Sequence, residues 1–408
     1  MHILFLSHYF PPEVNAPASR TFEHCRQWVR DGNNVTVITC APNCPNGVVF
    51  EGYANSIRTV EEIQGIRVIR VWTYIAPNKG FGPRIANYIS FMISSTFFAL
   101  VAVRRVDRIV ATSPQFFCGW AGVITKWLKR KPLILEIRDI WPESILAVGA
   151  MKESPVIRFL EKMELAMYKA ADHIVAAGHG YKGNIVKKGV PEEKVSVVLN
   201  GVDSEFFSPS RAVSERLLPA RKPDDFVCAY IGTVGMAHGL EVVLDAAAKS
   251  GPGIAFWIVG DGARRGELEA ECRSRNIDNV TFMGRLAKEA MPAILSACDA
   301  ALVHLRRTGL FATVVPSKIF EFMAMDVPII MGVRGEARDI VLSAHAGVPM
   351  EPDNAESLLQ CIDLIRMRGK EEFAGRTYVR KHFSRKRLAR DMLSVMEKVG
   401  GDMHAFKV

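Results

Sequence analysis

The chain has 408 residues, enough for two domains with separate apolar cores, and its 49% hydrophobic and 23% charged composition excludes a disordered, collagenous or small disulfide-stapled protein. The net charge of +9 is concentrated: between Lys79 and Lys131 nine basic residues (Lys79, Arg84, Arg104, Arg105, Arg108, Lys126, Lys129, Arg130, Lys131) face Asp107 alone. They flank apolar helical stretches such as FCGWAGVITKWLKRK and do not interleave with polar and stacking groups, which favours an anionic membrane surface over nucleic acid. The eight cysteines include no CxxC pair, and MHILFLSHYFPP lacks a basic leader, so a reduced, cytoplasmic chain is expected.

In chain order, short apolar runs alternate with helical periodicity. ILFLS, a helix from Ser19, NVTVIT, IRVIRVW, a long helix over Ile85–Val103, RIVAT, a helix from Cys118, LILEIRD, a helix at Pro155–Ala170, HIVAAG and VSVVLN predict a first parallel α/β domain over 1–205. Ile85–Val103 carries no charge and is long enough to cross a bilayer core. Strands on both sides argue against crossing: the helix is expected to cover the sheet and dip its outer face into lipid, as is the outer face of Cys118–Lys131. Polar residues at 206–225 predict a linker. FVCAYIG, a helix from Leu240, IAFWIVG, a helix from Arg264, VTFMG, a helix near Lys288–Ala297, DAALVHL, a helix from Ser317 and PIIMG predict a second doubly wound domain over 226–370. Helices over 371–408 are expected to pack across the domains. Open parallel sheets bind ligands beyond the carboxyl ends of their strands, so two such domains are expected to face an interdomain cleft.

The loop IGTVGMAHGL follows the first strand of the second domain and brings Gly232, Thr233, Gly235, His238 and Gly239 to a helix start, a pattern suited to a phosphate. In TVVPSKIFEF, Ser317 is placed to cap a helix whose first turn carries Lys318 and Glu321 on one face, a cation for a diphosphate and an acceptor for a ribose diol. Arg138 and Asp139 close a strand of the first domain, with Asp139 placed as a general base or an electrostatic stabiliser. Gly178, Gly180 and Gly183 form a GxGxxG after a late strand, where a cleft loop is the reading preferred to a dinucleotide fingerprint. Neither Asp-x-Asp nor HExxH occurs, so no metal site is expected.

The segments YFPPEVNAPASR, RDIWPES, GVPEEKVSVVLNGVD, GTVGMAHGL, WIVGDG, FMGRL and FATVVPSKIFEFMAMDVPII together resemble family 4 of the retaining glycosyltransferases, of GT-B architecture, and within it the WbuB-like enzymes of bacterial surface-polysaccharide assembly. The resemblance implies a UDP-sugar donor held by the second domain and an acceptor held by the first, with no cofactor beyond the nucleotide sugar itself. It places the diphosphate loop at Gly232–Gly239, the uracil contact at Arg285 and Leu286, and the ribose contact at Glu321. Thr233 and His238 stand where typical members carry Arg and Lys, which leaves more of the charge to Lys318. Thr313 stands where many have the first glutamate of Glu-x7-Glu, Arg138 replaces a common His, and Asn15-Ala16 replaces a Gly-Gly, with Asn15 able to adopt a positive φ.

The expected activity is therefore retaining transfer of a hexosamine-type sugar from UDP to a polyprenyl-diphosphate saccharide by a metal-independent enzyme peripheral on the cytoplasmic membrane, as in O-antigen or lipopolysaccharide biosynthesis. A UDP-sugar epimerase shares the two-domain shape but releases no UDP. A non-catalytic glycan-binding protein and a nicotinamide oxidoreductase are the remaining alternatives.

Overall fold

The computed structural model describes the chain except residues 45, 77–80, 114, 148, 150–151, 211–217, 220–221, 223 and 402–408. Buried aliphatic runs form strands His2–Leu6 (β1), Asn34–Cys40 (β2), Arg58–Ile63 (β3), Ile66–Val71 (β4), Arg108–Ser113 (β5), Leu133–Ile137 (β6), His173–Ala176 (β7) and Val195–Val197 (β8). The helices between them are Ala16–Arg30 (α1), Phe81–Ala102 (α2), Phe116–Lys129 (α3), Glu143–Ala147 (α4), Pro155–Ala170 (α5) and His179–Lys187 (α6). A second series follows with strands Phe226–Ile231 (β9), Ile254–Val259 (β10), Val280–Gly284 (β11), Ala300–His304 (β12), Ile329–Gly332 (β13) and Gly347–Pro349 (β14). Its helices are Glu241–Lys249 (α7), Arg265–Ser274 (α8), Met291–Ala297 (α9), Lys318–Ala324 (α10), Glu336–Ser343 (α11), Ala355–Arg368 (α12) and Arg376–His382 (α13), and Arg385–Gly401 (α14) ends the described chain.

Two compact units result. The first holds Met1–Ser144, Lys152–Leu199 and the chain from Arg385; the second holds Asn200–Ser384 and a short segment beginning at Ile145. In the first unit the strand order is β3-β4-β2-β1-β5-β6-β7-β8, parallel except for the β3–β4 hairpin. In the second it is β11-β10-β9-β12-β13-β14, parallel throughout. Each sheet reverses its winding at its first strand, so the crevice at a switch point opens beside the loop after β1 in one unit and after β9 in the other.

The first core joins Phe5, Trp28, Val37 and Val110 to Leu388, Ala389, Met392 and Met396 of α14. Trp28 Nε1 donates to the Ala389 carbonyl at 2.7 Å, fastening α14 to α1. In the second unit α13 packs on α10, and Arg376 donates to the carbonyls of Ser204 and Phe207. The linker expected at 206–225 falls in good part outside the described residues, as does Lys79. All eight cysteines are free thiols.

Several sequence expectations need correction. Helix α1 begins at Ala16, not Ser19, because Asn15 Oδ1 accepts the Ala18 N–H at 2.9 Å and Pro17 sits in the first turn, where its missing N–H costs nothing. Asn15 is thus a helix cap with φ −68°, not a positive-φ turn residue. The antiparallel strand β3 was absent from the expected set; it pairs with β4 through Gln64 and Gly65, both at positive φ. Gly178 caps α6 and Gly180 and Gly183 lie inside it, so the GxGxxG is a helix and not a cleft loop. A Cβ on Gly183 would meet nothing within 4 Å, so no close backbone approach demands that glycine.

Candidate active site

In the second unit the loop after β9 is held by the protein's own hydrogen bonds. Gly235 opens a single 3-10 turn, Met236–His238, and Gly239 closes it in the left-handed region ahead of α7. The carbonyls of this turn are held by His304, the last residue of β12, and by Arg306 just after it. Arg306 Nε donates to Met236 O at 2.9 Å, the Arg306 N–H to Ala237 O at 2.9 Å, and His304 Nδ1 to His238 O at 2.6 Å. The Asp353 N–H donates to His304 Nε2 at 2.9 Å, which fixes His304 as the neutral Nδ1–H tautomer. Burial lowers its pKa in the same sense. Glu241, at the start of α7, accepts from Arg264 at 2.9 Å and from Arg306 at 2.8 Å.

Beneath the loop, Gly232 has φ +150°, and a Cβ built there would stand 2.8 Å from Lys318 Nζ and 3.3 Å from Tyr230 Oη. Only glycine leaves that space to the ammonium. Gly260, after β10, is tighter still: its Cβ would fall 1.8 Å from the Gly232 carbonyl, so the WIVGDG glycine permits two loops to touch along their backbones. Tyr230 donates its hydroxyl to Thr233 O at 2.7 Å and offers its ring face to Lys318 Nζ, 4.0 Å from the centroid.

Lys318 and Glu321 lie on the first turn of α10, and Lys318 Nζ is buried with no hydrogen-bond acceptor among the described residues. Burial pulls its pKa down to about 7, the Glu321 carboxylate opposing that fall. A buried ammonium without an acceptor among the described residues, beside a glycine loop, is chemistry suited to an anion. His238 cannot share its charge: burial, with Lys318 adding to it, drives its pKa down to about 3, so it enters the site as a neutral imidazole. Ser317 takes the N-cap position of α10 but makes no side-chain cap bond, contrary to expectation. Thr233 is exposed, and Thr313 donates its hydroxyl to Leu310 O at 2.7 Å. Arg285, exposed, and Leu286, half-buried, leave the carboxyl end of β11.

In the first unit, Arg138 and Asp139 follow β6. Arg20, Arg138 and Arg385 share the field of Glu136 and Glu23. Arg138 keeps Nε and Nη1 buried without acceptors among the described residues, and burial lowers its pKa to about 10. Asp139 Oδ2 accepts from Ser144 Oγ at 2.9 Å, while burial raises its pKa. Among the described residues no group of three or more His, Cys, Asp or Glu side chains is gathered at ligating distance.

Within the second unit the structure thus brings together Gly232, Thr233, Gly235, His238, Gly239, Lys318 and Glu321. In the first it brings together Arg138 and Asp139, with Asn15 committed to α1. Tyr230, His304, Asp353 and Arg306 were not anticipated. Tyr230 had one usable signal, its position two residues before Gly232 on the first strand of the domain.

Two sheets of this order, with the candidate residues at their carboxyl ends, are the two Rossmann-like domains of GT-B glycosyltransferases. Residues 218–372 match the family described as Glycosyl transferases group 1 and residues 15–201 match the Glycosyl transferase 4-like domain; the chain belongs to this glycosyltransferase group. It is 25% identical over 97% of its length to 99% of WcaI of Escherichia coli (strain K12), whose name assigns it to colanic acid biosynthesis as a glycosyl transferase. Sucrose-phosphate synthase from Thermosynechococcus elongatus matches 98% of this chain and 98% of its own, at TM-score 0.73 and 18% identity. Anabaena HepE in complex with UDP and glucose matches 98% and 100%, at TM-score 0.69 and 16% identity.

Proposed function

We propose that the protein transfers a sugar, an N-acetylated hexosamine or deoxyhexosamine, from a UDP-sugar to a polyprenyl-diphosphate-linked saccharide during assembly of a bacterial surface polysaccharide such as O-antigen. The observation that carries the reading is Lys318 Nζ, buried without an acceptor among the described residues and 2.8 Å from where a Gly232 Cβ would stand. End-to-end likeness to WcaI supports the polysaccharide context, and HepE, solved with UDP and glucose, supports a nucleotide-sugar donor.

In this reading the diphosphate lies over Gly232–Gly239 against Lys318, Glu321 accepts from the ribose hydroxyls, and Arg285 with Leu286 borders the base. The bond from the anomeric carbon to the β-phosphate oxygen breaks, and the acceptor oxygen attacks the same face. The acceptor's hydroxyl proton passes to the departing phosphate oxygen, whose growing charge Lys318 stabilises. Asp139, after β6 of the first unit, is the carboxylate this reading assigns to catalysis. The cationic and backbone groups replace a metal at the diphosphate, so transfer is expected to persist in excess EDTA. In this reading the enzyme lies on the inner face of the cytoplasmic membrane, where a lipid-linked acceptor would be reached.

Calorimetric titration with UDP, GDP and ADP, followed by assay of UDP release from UDP-N-acetylhexosamines, tests the reading. UDP should bind tightest, and release should require a lipid-linked acceptor and yield a product of unchanged anomeric configuration. Interconversion of UDP-sugars without UDP release would establish an epimerase, and tighter binding of GDP or ADP would overturn the donor assignment.

A further inference from the structure

Helix α2 is 22 residues long, and its Gly82–Ala102 stretch is the one described helix long and apolar enough to cross a membrane, yet only 28% of its most apolar window is buried. A crossover helix that merely covered a sheet would bury its apolar residues and turn charge outward. Here Phe91, Ser95 and Ala99 face inward, while the outward face carries Ile93, Phe97 and Val101, exposed by 62, 56 and 55%. Their four-residue spacing aligns them along one side of the helix. On α3, which packs against α2, Trp127 and Leu128 are exposed by 57 and 59%. Exposed Arg104 and Arg105 follow the end of α2, and exposed Arg130 and Lys131 follow α3. No acidic residue occurs from Gly82 to Val106 or from Phe116 to Lys131.

We propose that these outward faces of α2 and α3 form an in-plane lipid anchor. Ile93, Phe97, Val101, Trp127 and Leu128 enter the acyl boundary of an anionic bilayer, and Arg104, Arg105, Arg130 and Lys131 meet its phosphates. The anchor deepens the reading of a lipid-linked acceptor and rests on it for its purpose, not for its existence. Crossing is excluded because β4 before α2 and β5 after it belong to the same sheet. A second copy of the chain fits poorly, since an isologous contact through this face would bring only cations together. Two lysines of the basic segment do other work: Lys126 Nζ bonds Asp172 at 2.8 Å and Ala170 O at 2.7 Å, and Lys129 Nζ donates to Val103 O at 2.7 Å. They tie helix ends in place and are not part of the anchor.

Flotation of the full chain with phosphatidylcholine vesicles, pure or half phosphatidylglycerol, tests the anchor. The wild type should float with the mixed vesicles. The triple variant Ile93→Ser/Phe97→Ser/Val101→Ser should bind them at least about tenfold more weakly, with an unchanged melting temperature because all three side chains face solvent. Arg104→Ser/Arg105→Ser/Arg130→Ser/Lys131→Ser should lose the preference for phosphatidylglycerol, and brominated lipid should quench wild-type fluorescence more than that of Trp127→Phe. Absence of wild-type flotation, or binding unchanged in both multiple variants, overturns the proposal. So does a lipid-free dimer of the wild type that the triple variant converts to monomer, since a second copy would then be the occupant. UDP titration of the same preparations separates the two readings: flotation without UDP binding leaves the anchor standing and removes the donor assignment.

Discussion

The ammonium of Lys318 stands over the ring of Tyr230, 4.0 Å from its centroid, on the same helical turn as the Glu321 carboxylate that supports its charge. Burial pulls the lysine's pKa down to about 7, a fall that the Glu321 carboxylate and the ring face offset only in part. A bound diphosphate restores the proton. UDP affinity should therefore fall as pH rises from 7 toward 9, by up to about tenfold per unit, with measurable proton uptake on binding. The Lys318→Ala variant should bind weakly at every pH. Calorimetry in buffers of different ionisation enthalpy checks this, and a flat pH profile in the wild type would show that the ammonium stays charged without a ligand.

Glu321 follows Lys318 by one helical turn on α10, a helix whose Ile319, Phe320, Phe322 and Met323 are buried while Glu321 is not. Removing its carboxylate should leave the fold intact and cost about 1.5 to 3 kcal/mol of nucleotide binding, the range for a hydrogen bond to a charged group. Titration with UDP and with 2′,3′-dideoxy-UDP distinguishes the role. Glu321→Ala should penalise UDP and leave the dideoxy compound unaffected.

The periodicity of Val, Ile and Leu runs placed the strands of both sheets except the edge strands β3 and β14, because parallel strands covered on both faces must be continuously apolar and β14 has only three residues. The β3 strand escaped because RTVEEI is an exposed edge whose burial pattern follows no core. The site was legible where chemistry is local in sequence, as at Lys318 and Glu321. His304 and Asp353 were illegible for the opposite reason: they act on the Met236–His238 turn from more than sixty residues away, through a backbone carbonyl that no pattern advertises. The neutrality of His238 was also invisible, since burial and the nearby Lys318 decide it.

His8 is buried edge-on against Tyr9, Tyr88 and Phe91, at centroid distances of 5.0, 5.6 and 4.9 Å. Burial lowers its pKa from 6.5 to about 3. The unfolded chain therefore binds a proton that the folded chain refuses, and stability present above pH 6.5 is lost as pH falls toward 3. The share of this one residue approaches about 1.4 kcal/mol per pH unit across that window. Urea denaturation between pH 7 and 4 should show a shallower loss for His8→Gln than for the wild type. Parallel curves would mean that other groups set the acid limit.

Arg20 and Glu136 lie buried on α1 and β6, joined at 2.8 Å from Nε to Oε1. The same guanidinium donates to Leu199 O at 2.7 Å and to Val198 O at 2.9 Å, so one side chain ties α1, the β6 strand and the end of the β8 segment. Desolvation pulls Arg20 toward neutrality while Glu136 holds its charge, and Glu136 is kept below the usual carboxylate range, against its own burial, by Arg20 first and Arg138 second. Removing one partner strands the other charge in the core. Glu136→Leu should cost about 3 to 5 kcal/mol, and Arg20→Met a similar amount with two carbonyls orphaned besides. The double variant should recover part of the loss, because the stranded charge is gone while the carbonyls remain unmet. Recovery should be incomplete in one further respect: Arg138 shares the field of Glu136, and without that carboxylate its pKa should fall further and transfer should decline with it. Measuring the three variants by urea denaturation, with transfer assayed alongside, separates a scaffold role for the pair from a role in holding Arg138 charged; activity that tracks stability alone would leave Arg138 independent of Glu136.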